Sequence, residues 1–67
     1  MIQLSVNGES RAFPQGTNLA ALIDELALAG KKIAVERNGD IVPRSRYGET
    51  LLEAGDRIEI VVAVGGG

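Results

Sequence analysis

The chain has 67 residues, seven basic and nine acidic side chains for a formal charge of −2, and neither cysteine nor histidine. One domain fits that length, and a domain this small buries only about 60% of the surface its unfolded form exposes, so its core must be economical. Disulfides, thiolate metal sites and Cys–His or Ser–His nucleophiles are excluded, and too few residues remain to enclose a catalytic pocket. There is no basic excess, one Tyr, one Phe and no Trp, which argues against a nucleic-acid binder. No apolar run approaches the ~20 residues of a membrane span, and Met1 to Val6 lacks the charged start and apolar block of a signal peptide. The expectation is a soluble cytoplasmic protein whose partners are proteins, with no nucleic acid and no membrane.

Ile2, Leu4 and Val6 alternate with Gln3 and Ser5, the period of a half-buried strand. Asn7-Gly8 then signals a type I′ hairpin turn, because both central residues of that turn take positive φ. Counting outward sets Val6 opposite Glu9, Leu4 opposite Arg11 and Ile2 opposite Phe13. The returning strand offers only Phe13 to the core, which suits a sheet edge, with Arg11 carrying its charge out to water. Pro14-Gln15-Gly16 ends the pairing, and Thr17 or Asn18 can cap a helix. Leu19, Leu22, Ile23 and Leu26 follow at i, i+3, i+4 and i+7, one helical face, with Asp24 and Glu25 on the wet side. Gly30 is the expected left-handed cap. Lys31 and Lys32 can be read as a docking patch, but complementing the negative end of the helix dipole is the favoured reading.

Ile33 to Arg37 reads as a strand and Asn38-Gly39 as a second hairpin turn, pairing Arg37 with Asp40 and Val35 with Val42. Pro43 closes the short return strand. Arg44 to Leu52 lacks a clean period and is expected to be irregular, with a helical turn. Arg44 and Arg46 could meet acidic partner groups or simply be solvated. After a turn at Glu53 to Asp56, Ile58, Ile60, Val62 and Val64 form the inner face of a last strand, and Glu59, Val61 and Ala63 face outward. This strand is the most apolar element and belongs at the sheet centre. The predicted fold is α+β, a mixed sheet of four to five strands packed on one helix: residues 1–64 form the domain and 65–67 a flexible glycine tail.

Gly65-Gly66-Gly67 adds nothing to a core. It is a thread without Cβ atoms, able to enter a channel too narrow for side chains. The reactive group at its tip is the α-carboxylate of Gly67, which needs an external enzyme and ATP to become an acyl donor. The tail is suited to be a substrate and not a catalyst.

Several segments in this order resemble the thiamin sulfur carrier family, ThiS: Val6-Asn7-Gly8-Glu9, Pro14-Gln15-Gly16-Thr17 with Leu19, Asn38 to Arg44, Gly55 to Val61, and the glycines. The likeness spans the whole chain. It implies the ubiquitin-like β-grasp fold, with the first and last strands parallel at the sheet centre. It also implies a carrier with no bound cofactor or metal and no catalytic residue of its own. An E1-like adenylating enzyme would activate Gly67 with ATP, a persulfide protein would supply sulfur, and the thiocarboxylate would pass to thiazole synthase. Gly65 and Gly66 would thread into the partner, and Val61 and Ala63 would touch it. The alternatives are a molybdopterin-type sulfur carrier, whose members tend to be longer, and a non-covalent β-grasp binding module.

Overall fold

The computed structural model describes residues 1–63; Val64 and the three glycines lie outside the described residues. Strands β1 (Ile2–Val6) and β2 (Glu9–Phe13) precede helix α1 (Leu19–Glu25). Strands β3 (Ile33–Arg37) and β4 (Asp40–Val42), a 3-10 helix (Arg44–Glu49) and strand β5 (Arg57–Val62) follow. The sheet has five strands in the order β2-β1-β5-β3-β4. β5 is central, parallel to β1 and antiparallel to β3. This is the β-grasp arrangement, with the first and last strands side by side. Among the described residues no helix is long and apolar enough to cross a membrane.

Both hairpins take the predicted registers, from Val6 opposite Glu9 to Ile2 opposite Phe13, and from Arg37 opposite Asp40 to Val35 opposite Val42. Their turns are type I′: Asn7, Gly8, Asn38 and Gly39 all have positive φ. β2 buries Phe13 alone and forms one edge, while β4, three residues long and stopped by Pro43, forms the other. Short, charged edges of this kind discourage pairing with other chains.

The core lies between the sheet and α1. Leu4, Val6, Phe13, Val35, Ile58 and Ile60 meet Leu19, Leu22 and Ile23, with Leu52 joining from the segment before β5. Leu52 is drawn in because residues 50–52 run beside the start of the helix: Leu19 N–H donates to Thr50 O at 2.8 Å and Leu52 N–H to Thr17 O at 2.9 Å. Asn18 is the N-cap, its side chain accepting from Ala21 N–H at 2.8 Å.

The helix stops earlier than its sequence suggests. Its left-handed residue is Ala27, with φ of 60°, and not Gly30, which belongs to the following turn. Ala27 N–H donates to Asp24 O and Leu28 N–H to Ile23 O, both at 3.0 Å, the paired bonds of a Schellman motif. Leu28 and Ile23 both belong to the core side, and their burial holds an alanine in a conformation that glycine would take without a Cβ clash. The last turn has no basic residue, so Lys31 and Lys32 do not complement the helix dipole. Early termination also accounts for Val62. It sits on the inner face opposite Ile33 but remains 45% exposed, because seven helical residues cover roughly 10 Å of a strand roughly 20 Å long.

Polar groups fasten β5 at three points. Ser5 N–H donates to Asp56 O and Asn7 N–H to Ile58 O, the parallel ladder to β1. The chain then turns away, and the Asn7 side chain takes over: Ile60 N–H donates to Asn7 Oδ1 at 2.7 Å, and Asn7 Nδ2 donates to Ile60 O at 3.1 Å. On the other flank, Arg57 N–H donates to Asn38 Oδ1 at 2.8 Å and Asn38 N–H to Arg57 O at 2.8 Å. Asp56, 5% exposed, accepts from Arg37 Nε at 3.0 Å, Glu53 N–H at 2.9 Å and Asn38 Nδ2 at 3.1 Å. Burial pushes the Asp56 pKa up, but the bonds from Glu53 and Asn38 and the charge of Arg37 together hold it below the ordinary 3.8.

Three expectations follow. Asn7→Gly keeps a turn residue at ease with positive φ and removes only the side-chain bonds to Ile60, so urea unfolding should show a loss of about 1–3 kcal/mol; unchanged stability would mean that Asn7 serves the turn alone. Ala27→Gly should raise stability by about 0.5–1 kcal/mol, or roughly 2–8 °C in Tm. For Asp56, a folded pKa below the unfolded one means a contribution present above pH 3.8 and lost as pH falls through the folded value. Asp56→Asn, left with one acceptor for three donors, should lose about 2–4 kcal/mol near pH 7. The gap between wild type and variant should close on the acid side when unfolding is followed against pH.

Candidate functional site

The candidate site is the end of β5 where the chain leaves the sheet. Val61 is on the outer face, away from α1, 62% exposed and directly opposite Ala34 of β3. Ala63 is also exposed, and its N–H donates to Lys32 O at 2.9 Å. That bond extends the antiparallel pairing one step beyond β5 and holds the exit against the start of β3. The sequence expectation that Val61 and Ala63 face outward is therefore met. Gly65, Gly66 and Gly67, the predicted threading and carrier positions, lie outside the described residues.

Other side chains gather at this exit. Lys31, Lys32 and Arg44 line one open hollow together with Ala34, Tyr47 and Ala63. All three cations are exposed, and among the described residues none has an ion-pair partner within 4 Å. Two turns of chain bring them here. Ending α1 at Glu25 lets residues 26–32 loop back to the sheet, and Pro43 directs the chain from β4 into the 3-10 helix that carries Arg44 and Tyr47. A second, adjoining hollow on the helix side is lined by Ile23, Leu28, Ile33 and Tyr47, with Lys31 and Arg44 at its rim. The sequence pointed to the lysine pair only as one of two readings, and it gave no reason to place Arg44 beside it.

Farther down the same sheet face, Glu36 of β3 stands directly opposite Glu59 of β5. This pairing depends on a register between strands that are distant in sequence, so no local signal announces it. Asp56 and its partners sit at the opposite end of β5, where they join the two flanking strands. With its three donors satisfied inside the fold, that carboxylate is a structural fastening.

The exit offers a fixed root, exposed apolar residues and three cations that have no ion-pair partner within 4 Å among the described residues. Such a surface can hold and present a chain segment while the chemistry is done elsewhere. The comparisons with known proteins agree. The model of the ThiS family matches residues 4–67. A thiazole synthase of Paramagnetospirillum magneticum is 44% identical over 66 residues, covering 98% of this chain and 20% of that protein. The chain thus spans about a fifth of the length of that relative. The sulfur carrier protein ThiS of Bacillus subtilis is 38% identical over 65 residues, covering 96% of this chain and 98% of that one. The crystal structure of the thiamine biosynthesis protein ThiS from Geobacter metallireducens superposes with a TM-score of 0.82 at 29% identity, covering 98% of this chain and 100% of the other. By sequence along nearly its whole length and by fold, this chain belongs to the ThiS family, the small sulfur carriers of thiamin biosynthesis.

Proposed function

We propose that Gly67 is the carried position: its α-carboxylate is adenylated by a partner enzyme with ATP, converted to a thiocarboxylate, and delivered to thiazole synthase. The carboxylate attacks the α-phosphorus of ATP and releases pyrophosphate. The terminal sulfur of a protein persulfide then attacks the acyl carbon and displaces AMP, leaving an acyl disulfide. A thiol then attacks the donor cysteine's own Sγ, forms a new disulfide with it, and frees the transferred sulfur as the thiocarboxylate. Gly65 and Gly66 thread the acyl group into each active site, while Val61 and Ala63 rest on the partner's surface. ATP and persulfide sulfur are cytoplasmic reagents, and the reading places the protein there.

One observation carries this reading: the family match runs through the terminal glycines to residue 67 in a chain with no cysteine and no histidine. Such a chain has no thiol on which to hold sulfur, so a carried sulfur must be bonded to a carbonyl carbon. The similarity to a protein named thiazole synthase supports the choice of recipient.

Intact-mass measurement of the protein from cells making thiamin should show a fraction heavier by one oxygen-to-sulfur exchange, and fragmentation should localise the added mass to Gly67. Removing Gly66 and Gly67 should abolish that species and leave the unfolding free energy within about 0.5 kcal/mol of wild type, because both residues lie beyond β5. A truncated chain that still supports growth without thiamin would overturn the proposal.

A further inference from the structure

The surface running from the chain exit onto the outer sheet face is charged in a definite order. First come Lys31, Lys32 and Arg44, which line one hollow with Ala63, Ile33 and Tyr47 where the outer face meets the helix side, a cluster of cations in a chain whose formal charge is −2. Next is the apolar pair Ala34 and Val61. Two residues farther, about 7 Å along the strands, Glu36 faces Glu59. Arg57 shares a shallow hollow with these two carboxylates, yet among the described residues neither glutamate has an ion-pair partner within 4 Å. Like charges directly opposite on a sheet are destabilising, and so are cations gathered without a carboxylate among them. Among the described residues no ion pair within 4 Å offsets either arrangement, and both are explained better by what covers this surface than by the domain itself.

Chain geometry says where a cover must sit. From Ala63, the four residues to Gly67 span at most about 14 Å. Any channel that receives the tail therefore opens close to Ala63, and its rim rests on this strip. Activation of the carboxylate is the step that must select the free chain from solution, and complementary charge is most useful at that stage, for encounter rate and for orientation. Resting on the carrier reading, we infer that the adenylating partner docks here through a polarised footprint. Its acidic side chains oppose Lys31, Lys32 and Arg44, an apolar seat covers Ala34 and Val61, and a guanidinium or ammonium group enters between Glu36 and Glu59. The order of charges fixes which way round the domain sits, so that the tail points into the channel.

ATP–pyrophosphate exchange with the adenylating protein of the same organism tests the footprint, read as KM for this chain against kcat. The double variant Lys31→Glu/Lys32→Glu should raise KM by about tenfold or more at unchanged kcat, and its KM should depend less steeply on ionic strength than that of wild type. Glu36→Gln should strengthen the fold while weakening recognition by the partner. Relief of the Glu36–Glu59 repulsion should raise Tm, whereas loss of the partner's cation contact should raise KM by about threefold or more. A purely structural role would not separate them. Variants with wild-type KM and wild-type salt dependence would overturn the footprint and leave the carrier reading in place. A wild-type chain that supports no exchange would overturn both. A salt-sensitive dimer, dissolved by these substitutions while KM stays constant, would assign the strip to a second copy of this chain and equally overturn the inference.

Discussion

The whole domain depends on how its last strand is held. β5 carries the most apolar stretch of the chain, and burying it requires neighbours on both edges and a cover on one face. β1 and β3 supply the edges in opposite senses, parallel and antiparallel. β1 turns away after Val6, when β5 has only reached Ile58, so the backbone ladder would leave the Ile60 peptide groups without a partner on that side. The Asn7 amide has the donor and acceptor of a peptide unit and completes the ladder. On the other flank Asn38 binds the Arg57 peptide and also reaches Asp56. Both I′ turns thus use asparagine twice, for its tolerance of positive φ and for its side-chain amide. In a chain too short for a large core, such satisfied polar contacts weigh heavily in the balance.

The cover is less complete than the edges. α1 buries Leu19, Leu22 and Ile23 over the middle of the sheet and ends in the Schellman motif at Ala27. The far end of β5 runs past it, which leaves Val62 half exposed and opens the hollows beside Tyr47. A longer helix ending at Gly30 would have covered more apolar area, but its last turn would have occupied the space in which residues 26–32 bring two lysines to the chain exit. Lost burial and gained access are therefore two consequences of one feature, the early helix stop.

Local geometry was legible in the sequence; non-local geometry was not. Two Asn-Gly pairs set four strands and their registers, since a two-residue turn leaves no freedom in counting. Period-2 alternation placed Ile58 and Ile60 inward and Val61 outward, and Phe13 was identified as the one buried residue of β2. By residue type Gly30 is the stronger cap, whereas burial of Leu28 against the core places the left-handed residue at Ala27. Alternation puts Val62 on the inner face, but it reports the face of a sheet and not the reach of its cover. Leu52 was lost in a stretch without periodicity, since its burial follows from pairing with residues 17–19. At the candidate site, the outward residues of β5 could be read directly. The convergence of Lys31, Lys32 and Arg44, and the facing of Glu36 and Glu59, required the tertiary fold.

β5 also separates two functions along one rod. Its first residues meet the Asp56 cluster, where charge is buried, fully hydrogen-bonded and committed to holding the hairpins together. Its last residues meet exposed charge that has no ion-pair partner within 4 Å among the described residues. The two ends are about 20 Å apart, beyond a Debye length at physiological salt and beyond the range over which substitutions usually couple. Substitutions at the exit therefore leave the Asp56 fastening intact. On the carrier reading, the domain must remain folded while its tail is handed between proteins. Anchoring the strand at one end and presenting its continuation from the other meets that requirement with very few residues.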